Sequence, residues 1–212
     1  MVFALILMTV SHFGVSSEAQ WQTVEEVLAV VGNTPILQSD IELAALVHII
    51  EPENDEGKDA YRSRLLDARI RLEIEFRDLE EGGILYRLNL EPLPIRNLLI
   101  TRGGGEETLA TNLHSAGLDW PDLDELVLRM VATEAFVEQR LRPNVSVSME
   151  EIEAAYQQLL VAEIAGTDET LPSLTTVSDH LRRLLVERKV NEEIERWLQR
   201  AKERHEVIRF AR

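Results

Sequence analysis

The longest hydrophobic pattern in the chain covers residues 175–204, near its C-terminal end. Apolar residues there recur at steps of three and four, or at sums of these steps, which is the spacing of one face of an α-helix. The stripe consists of Val177, Leu181, Leu184, Leu185, Ile194, Trp197, Leu198 and Ala201. The pattern predicts a helix of about 30 residues, roughly 45 Å long. Because such a helix cannot bury its stripe against itself, we expect it to lie along another part of the fold.

Strand patterns lie at both ends of the remaining sequence. Val27–Val31 is a run of strand-forming residues, and the following Gly32-Asn33 is a turn pair that tolerates positive φ. The second strand contains Pro35, which cannot donate to a ladder, so we expect this strand to be short or to lie at a sheet edge. Near the C-terminus, 206–210 reads as a further strand. The economical arrangement pairs Val207–Phe210 with Val27–Val31 and folds the long helix back over the first half of the chain.

The sequence between these strands predicts a series of helices, each delimited by Gly, Pro or a capping residue. We expect Ser39 to cap the first helix in a capping box with Glu42, and Ser148 and Glu151 to form a second box. The other predicted helices are Asp59–Glu80, Ile95–Thr101, Glu106–Ala116 and Asp122–Leu141. The expected fold is therefore mainly α, a multi-helix core with a small sheet formed by the N-terminal hairpin and the C-terminal strand.

Charge and composition narrow the classes of partner. The 212 residues are 45% hydrophobic and carry a formal net charge of -16, which argues against a nucleic-acid partner because phosphate binding requires a basic face. The chain has no cysteine, which excludes disulfides and thiolate metal sites.

The first residues have the features of an export signal. Val2–Val10 is an uninterrupted apolar run, too short to span a membrane, and Ser17-Glu18-Ala19 offers small residues for a signal peptidase. We expect a signal peptide at 1–19, although no Lys or Arg precedes the run; the alternative is a buried N-terminal strand. No later stretch is apolar enough to cross a bilayer, so we expect no membrane span in the mature chain.

Residues for catalysis or metal binding are not grouped in the sequence. The five histidines are scattered, and no serine lies in a Gly-x-Ser-x-Gly elbow. The triplet Gly103-Gly104-Gly105 lacks the Lys-Ser/Thr of a phosphate loop and is expected to be a connector. Carboxylate runs such as Asp78–Glu81 are expected mostly on solvated faces. We therefore expect no enzyme activity, no metal and no cofactor.

Three motifs resemble a known family. The first is Val27–Ile41, which reads Val-Leu-Ala-Val-Val-Gly-Asn-Thr-Pro-Ile-Leu-Gln-Ser-Asp-Ile. The second is Val145–Tyr156, with Val-Ser-Met-Glu-Glu-Ile at its centre, and the third is Leu181–Phe210, a helix with Trp197-Leu198 followed by a strand. In order and spacing they resemble the opening strand and capped helix, the later helix entry, and the closing helix and strand of the SurA-type periplasmic chaperones.

The chain departs from that family at one point. In that family, one or two parvulin-type prolyl isomerase domains of about a hundred residues lie between the helix after the second motif and the closing helix. Here only the 13 residues Val161–Ser173 lie there, which are too few for such a fold. The resemblance therefore implies four parts. They are a signal peptide at 1–19, a SurA-like N-terminal helical domain at 20–160, a loop at 161–173 replacing the isomerase, and a C-terminal helix and strand at 174–212.

The function that the resemblance implies is that of an exported, periplasmic, ATP-independent chaperone, a holdase. It would bind unfolded outer-membrane or secreted polypeptides in an apolar cleft between the helical lobe and the closing helix. Candidate lining residues are Met130, Phe136 and Leu141, with the alternative that all three belong to the core. Two other functions stay open: an assembly subunit that holds one folded partner or itself as a homodimer, and a prolyl isomerase, against which the missing insert argues.

Overall fold

The structure, a computed structural model, describes residues 25–161 and 172–210. Its strands are β1 (Val27–Val31), β2 (Thr34–Leu37) and β3 (Val207–Arg209). Its α-helices are α1 (Gln38–Leu46), α2 (Lys58–Glu81), α3 (Pro92–Arg102), α4 (Glu106–Ser115), α5 (Trp120–Phe136), α6 (Met149–Ala155) and α7 (Leu174–Arg204). The predicted signal peptide and most of the predicted loop at 161–173 lie outside the described residues.

The three strands form one antiparallel sheet in the order β2-β1-β3. This confirms the pairing predicted between the two ends of the chain: Val31 lies opposite Val207, and Val30 lies opposite Ile208. At the hairpin turn Gly32 takes a φ of 59°, a conformation that glycine adopts without steric cost. Pro35 lies on an edge strand, as expected from its missing N–H.

Helix α2 lies at the centre of the molecule and contacts α1, α5, α7 and β1. Its Ile70 and Ile74 belong to a buried cluster that also contains Val31 of β1 and Leu198 of α7. Burying each such side chain contributes about 1.5–3 kcal/mol relative to leaving it exposed. The first and last elements of the described chain are thus held on the same face of one helix.

A second buried cluster joins α1, α3, α4 and α5. Between α3 and α4, Gly104 and Gly105 have φ values of 90° and 93°, which non-glycine residues rarely adopt. A side chain at Gly103 would bring its Cβ to 2.9 Å from Leu109. The glycine triplet is therefore needed for a tight reversal between two packed helices, a more specific role than the expected connector.

Helix α7 is the long helix predicted from the apolar stripe, and it packs on two different partners. Its C-terminal half lies on α2, whereas Leu181 and Leu185 in its N-terminal half pack with Ile152 and Ala155 of α6. We call α6 together with residues 174–190 of α7 the arm. Leu184 was predicted on the buried stripe but is 48% exposed, because α6 covers only one side of this half of the helix.

Helix boundaries follow the predictions except at α1, α3 and α5; α3 begins at Pro92, three residues before the predicted Ile95. The box between Ser148 and Glu151 forms as predicted. The predicted box between Ser39 and Glu42 is wrong. The N-cap is Leu37 and α1 begins at Gln38, two residues earlier than a Ser39 cap would give, and the carboxylate of Asp40 accepts the N–H of Leu37 instead. At its other end α1 stops at Leu46 rather than near Pro52. Helix α5 ends at Phe136 and continues to Leu141 as a π-helical turn.

Candidate functional site

An aromatic contact helps to fix the closing helix α7 to helices α1–α5, which we call the lobe. The rings of Phe136 and Trp197 lie with centroids 4.5 Å apart at an interplanar angle of 50°. The Nε1–H of Trp197 donates to Oδ2 of Asp78 over 2.7 Å. Because Trp197 is 4% exposed and Asp78 8% exposed, this hydrogen bond is shielded from water. A contact of this kind holds α7 in a single register against α2 and α5.

The carboxylate of Asp78 also binds the last turn of α7. Nε of Arg204 donates to its Oδ1 over 2.8 Å, and Nη2 of Arg204 lies 2.6 Å from the same oxygen. Charge-assisted hydrogen bonds of this type are roughly twice as strong as neutral ones. The expectation that the acidic run at 78–81 is mostly solvated is therefore wrong for Asp78, which faces α7 from the buried side of α2.

The three candidate peptide-binding residues lie in the packed interior. Phe136 is buried beside Trp197, and the half-buried Leu141 packs on the same cluster. Met130 packs on the cluster between α1, α3, α4 and α5 instead. The structure therefore brings Phe136 and Leu141 together and keeps Met130 apart. Their binding role stays a prediction, and it would require α7 to move away from the lobe before a peptide reached Phe136.

The surface of α7 next to this junction forms an open groove. Its volume is about 810 Å³, and its seven lining residues, among them Leu184 and Glu187, all belong to α7. A groove lined by one helix cannot enclose a ligand. It marks the place where the arm leaves the lobe.

One ion pair holds the arm to the segment that precedes it, and a second holds the two helices of the arm together. Nη1 of Arg142 lies 2.6 Å from Oε1 of Glu187, and Nζ of Lys189 lies 2.7 Å from Oε1 of Glu151. Each hydrogen bond favours the charged carboxylate, so Arg142 lowers the pKa of Glu187 and Lys189 lowers the pKa of Glu151. The arm is thus attached through contacts that depend on ionised carboxylates.

The sheet exposes one edge with unused backbone groups, and this edge is β3. The N–H of Gly32 donates to the C=O of Glu206 over 2.8 Å, and the N–H of Phe210 donates to the C=O of Leu28 over 3.0 Å. In an antiparallel pair, alternate residues face the partner strand. The backbone N–H and C=O groups of Val207 and Arg209 therefore point away from β1, and no described strand pairs with them.

The opposite edge, β2, is closed to a further strand. Its outward-facing residues are Pro35, which has no N–H, and Leu37, whose N–H donates to Oδ2 of Asp40 over 2.7 Å. Both features are known ways of blocking an edge strand against pairing. Among the described strands, β3 is therefore the one whose outer edge offers free backbone donors to an added strand.

Apolar side chains are exposed next to the open edge. Ala29 and Val31 face α2 and are buried, so the alternation of strand side chains places Ile208 and Phe210 on the other face. Ile208 is 47% exposed and Phe210 is 53% exposed. We call the outward backbone of β3 together with these two side chains the β3 edge site. Sequence periodicity did not reveal it, because a strand of three residues does not indicate which of its edges is covered.

Comparison with known proteins adds no family to this description. No protein-family model matches the chain, and no curated protein matches it either. Within the described residues, no helix is both long and apolar enough to cross a membrane.

Proposed function

We propose that this protein is an exported, ATP-independent chaperone that holds unfolded polypeptides. The observation that carries the proposal is the β3 edge site, where free backbone groups lie beside exposed apolar side chains. An unfolded chain can add a strand there through its own backbone, and backbone pairing places no strict demand on sequence. Ile208 and Phe210 supply apolar contacts for alternate side chains of the client. The resemblance to SurA-type chaperones supports the same proposal and suggests periplasmic clients such as outer-membrane polypeptides.

The proposal is tested by aggregation of a denatured client. We expect the purified protein, without nucleotide and in molar excess over the client, to suppress the light scattering of a diluted, urea-denatured porin. Unchanged scattering at such an excess would contradict the chaperone proposal, whereas a requirement for ATP would contradict its ATP independence.

The substitution Arg209→Pro tests whether the β3 edge carries the activity. Proline removes the outward N–H of residue 209 but no hydrogen bond to β1. Losing one backbone hydrogen bond of about 0.5–1.5 kcal/mol should weaken client binding by about two- to tenfold, read from the protein concentration that halves the scattering.

The matched control is Arg209→Ala. Both variants lose the ion pair in which Nη1 of Arg209 lies 2.6 Å from Oδ1 of Asp67, but alanine keeps the N–H. We expect Arg209→Ala to remain within about twofold of the parent, since exposed ion pairs contribute little. Equal loss in both variants would show that the side chain, not the backbone edge, binds the client.

The β3 edge also favours a second function, that of an assembly subunit. Two copies could pair their β3 strands around a twofold axis and join two sheets into one. Size-exclusion chromatography with light scattering at several concentrations separates the possibilities. A dimer that is lost in Arg209→Pro, together with no effect on client aggregation, would favour the assembly function over the chaperone.

A further inference from the structure

The protein blocks one edge of its sheet and leaves the other open. The β2 edge is closed by Pro35 and by the engaged N–H of Leu37, whereas no described strand pairs with the outer side of β3. Exposed edge strands invite pairing with another chain, and soluble proteins usually block or cover them. A permanent block on β3 would also exclude an unfolded client. A reversible cover would protect this edge and still leave it available.

A second copy of β3 fits the open edge in one antiparallel register. The outward backbone groups belong to Val207 and Arg209, and two residues paired through such groups exchange two hydrogen bonds. With a twofold axis at Ile208, Val207 of each copy lies opposite Arg209 of the other, so every outward group finds a partner. An axis at Arg209 places two guanidinium groups opposite each other. An axis at Val207 leaves Arg209 opposite His205, which lies outside the strand.

The exposed side chains of the β3 edge site match this register. The residue on the axis forms a non-hydrogen-bonded pair, in which side chains on the same face approach most closely. Ile208, which is 47% exposed, therefore packs against Ile208 of the second copy. Phe210, which is 53% exposed, lies diagonally across from that same Ile208, within reach of an aromatic ring. Pairing thus covers the backbone edge and its two apolar side chains together.

The paired strands are short, so the dimer that they form is weak. Each β3 strand has three residues, and each copy carries a net charge of -16, which repels the other copy. Small interfaces are typical of transient complexes. A client strand longer than β3 makes more backbone contacts with the edge and can displace the second copy.

We propose that two copies of this chain pair their β3 strands around Ile208 when no client is bound, and that this dimer is the resting form of the chaperone. The inference rests on the proposed chaperone function and concerns the regulation of the same β3 edge site. It differs from the assembly function, in which the dimer is the final product. Here client and second copy compete for the same backbone groups, so each client displaces a partner strand.

Disulfide trapping in the full chain tests the register. The sequence has no cysteine, so one introduced cysteine forms a disulfide only between two copies. In Ile208→Cys the two Cα atoms lie about 4.5 Å apart across the axis, which is within disulfide range. The matched control is Phe210→Cys, a similarly exposed position whose two Cα atoms lie about 13 Å apart, since they are offset by four residues. We expect the covalent dimer to form at least about tenfold faster in Ile208→Cys.

Holding of a client tests the regulation. The oxidised Ile208→Cys dimer has both β3 edges covered, so it should lose suppression of porin scattering, and a reductant should restore suppression in the same sample. The parent chain treated with the same oxidant and reductant should not change, because it has no cysteine. In the parent, binding of a synthetic porin-strand peptide should lower the dimer fraction measured by multi-angle light scattering.

Three results would overturn the proposal. They are equal or absent trapping at positions 208 and 210, a trapped dimer that suppresses scattering as well as the reduced sample, and a parent dimer that persists with peptide bound. Failure of the parent itself to suppress scattering is a different result. It would contradict the chaperone function and the resting-form proposal with it, and selective trapping at position 208 would then favour the assembly subunit.

Discussion

Trp197 is one of the residues that fix the closing helix to the rest of the molecule. Its ring packs on Phe136 and its N–H binds the buried carboxylate of Asp78. The substitution Trp197→Phe keeps a ring but removes the donor, so that Asp78 loses a charge-assisted hydrogen bond. We expect the free energy of unfolding to fall by about 1.5–3 kcal/mol, measured by urea denaturation.

Trp120→Phe is the matched control for this prediction. Trp120 is half-buried, and the guanidinium carbon of Arg96 lies 5.1 Å from the centroid of its ring. Since exposed cation–π contacts contribute about 0.5–1 kcal/mol, the control should lose less than Trp197→Phe. Equal losses would mean that the hydrogen bond to Asp78 does not fix the helix.

Sequence reasoning succeeds and fails at single residues for physical reasons. The apolar stripe identified Trp197 as buried because its position repeats with the helix. Nothing in the run at 78–81 shows that Asp78 faces inward, because the partner that satisfies its charge is 119 residues away. Similarly, Ser39 and Asp40 can both cap a helix, and which of them does so depends on the residue at which β2 ends.

At the scale of elements, the arm should be the first part to loosen in acid. Glu151 and Glu187 have folded pKa values below the ordinary 4.5, so they stabilise the arm above that pH. As the pH falls below 4.5, the unfolded arm takes up protons first and this stabilisation is lost on approaching the lowered folded pKa values. We expect amide protection, corrected for intrinsic exchange, to fall at 181–190 before it falls at 65–79.

A double variant, Glu151→Gln with Glu187→Gln, provides the control. Both side chains then stay neutral at every pH, so the arm should already be less protected at neutral pH and should show less further change in acid. Glu75 in α2 differs from these two residues, because desolvation raises its pKa where theirs are lowered. Its protonation in acid therefore does not destabilise the lobe. Simultaneous loss of protection in arm and lobe would contradict the account.

The sequence predicted which helices and strands form more often than it predicted which neighbouring elements bury them. The hairpin, the long closing helix and the helix predicted over Asp59–Glu80 follow from local chemistry, and all appear. Leu184 matches the apolar stripe but is exposed, because the neighbouring helix α6 is short and covers one side only. Coverage is a tertiary property, and the β3 edge site is missed for the same reason.

At the scale of the whole molecule, the two ends of the described chain meet in one sheet around α2. Pairing of β1 with β3 closes the fold, and the packing of α7 on α2 holds that closure in place. The same arrangement leaves β3 as the outermost strand and exposes its free edge. In this account the closing strand therefore has two roles: it completes the sheet with β1 and offers its other side to an unfolded chain.

Photo-crosslinking to an unfolded client tests this central claim most directly. A benzoylphenylalanine placed at Phe210, beside the open edge, is compared with one at Tyr86. Tyr86 is 83% exposed and lies in the short turn after α2, outside the sheet. The account predicts that a denatured porin crosslinks at position 210 and much less at position 86. Crosslinks at position 86 but not at 210, in a protein that suppresses aggregation, would contradict it.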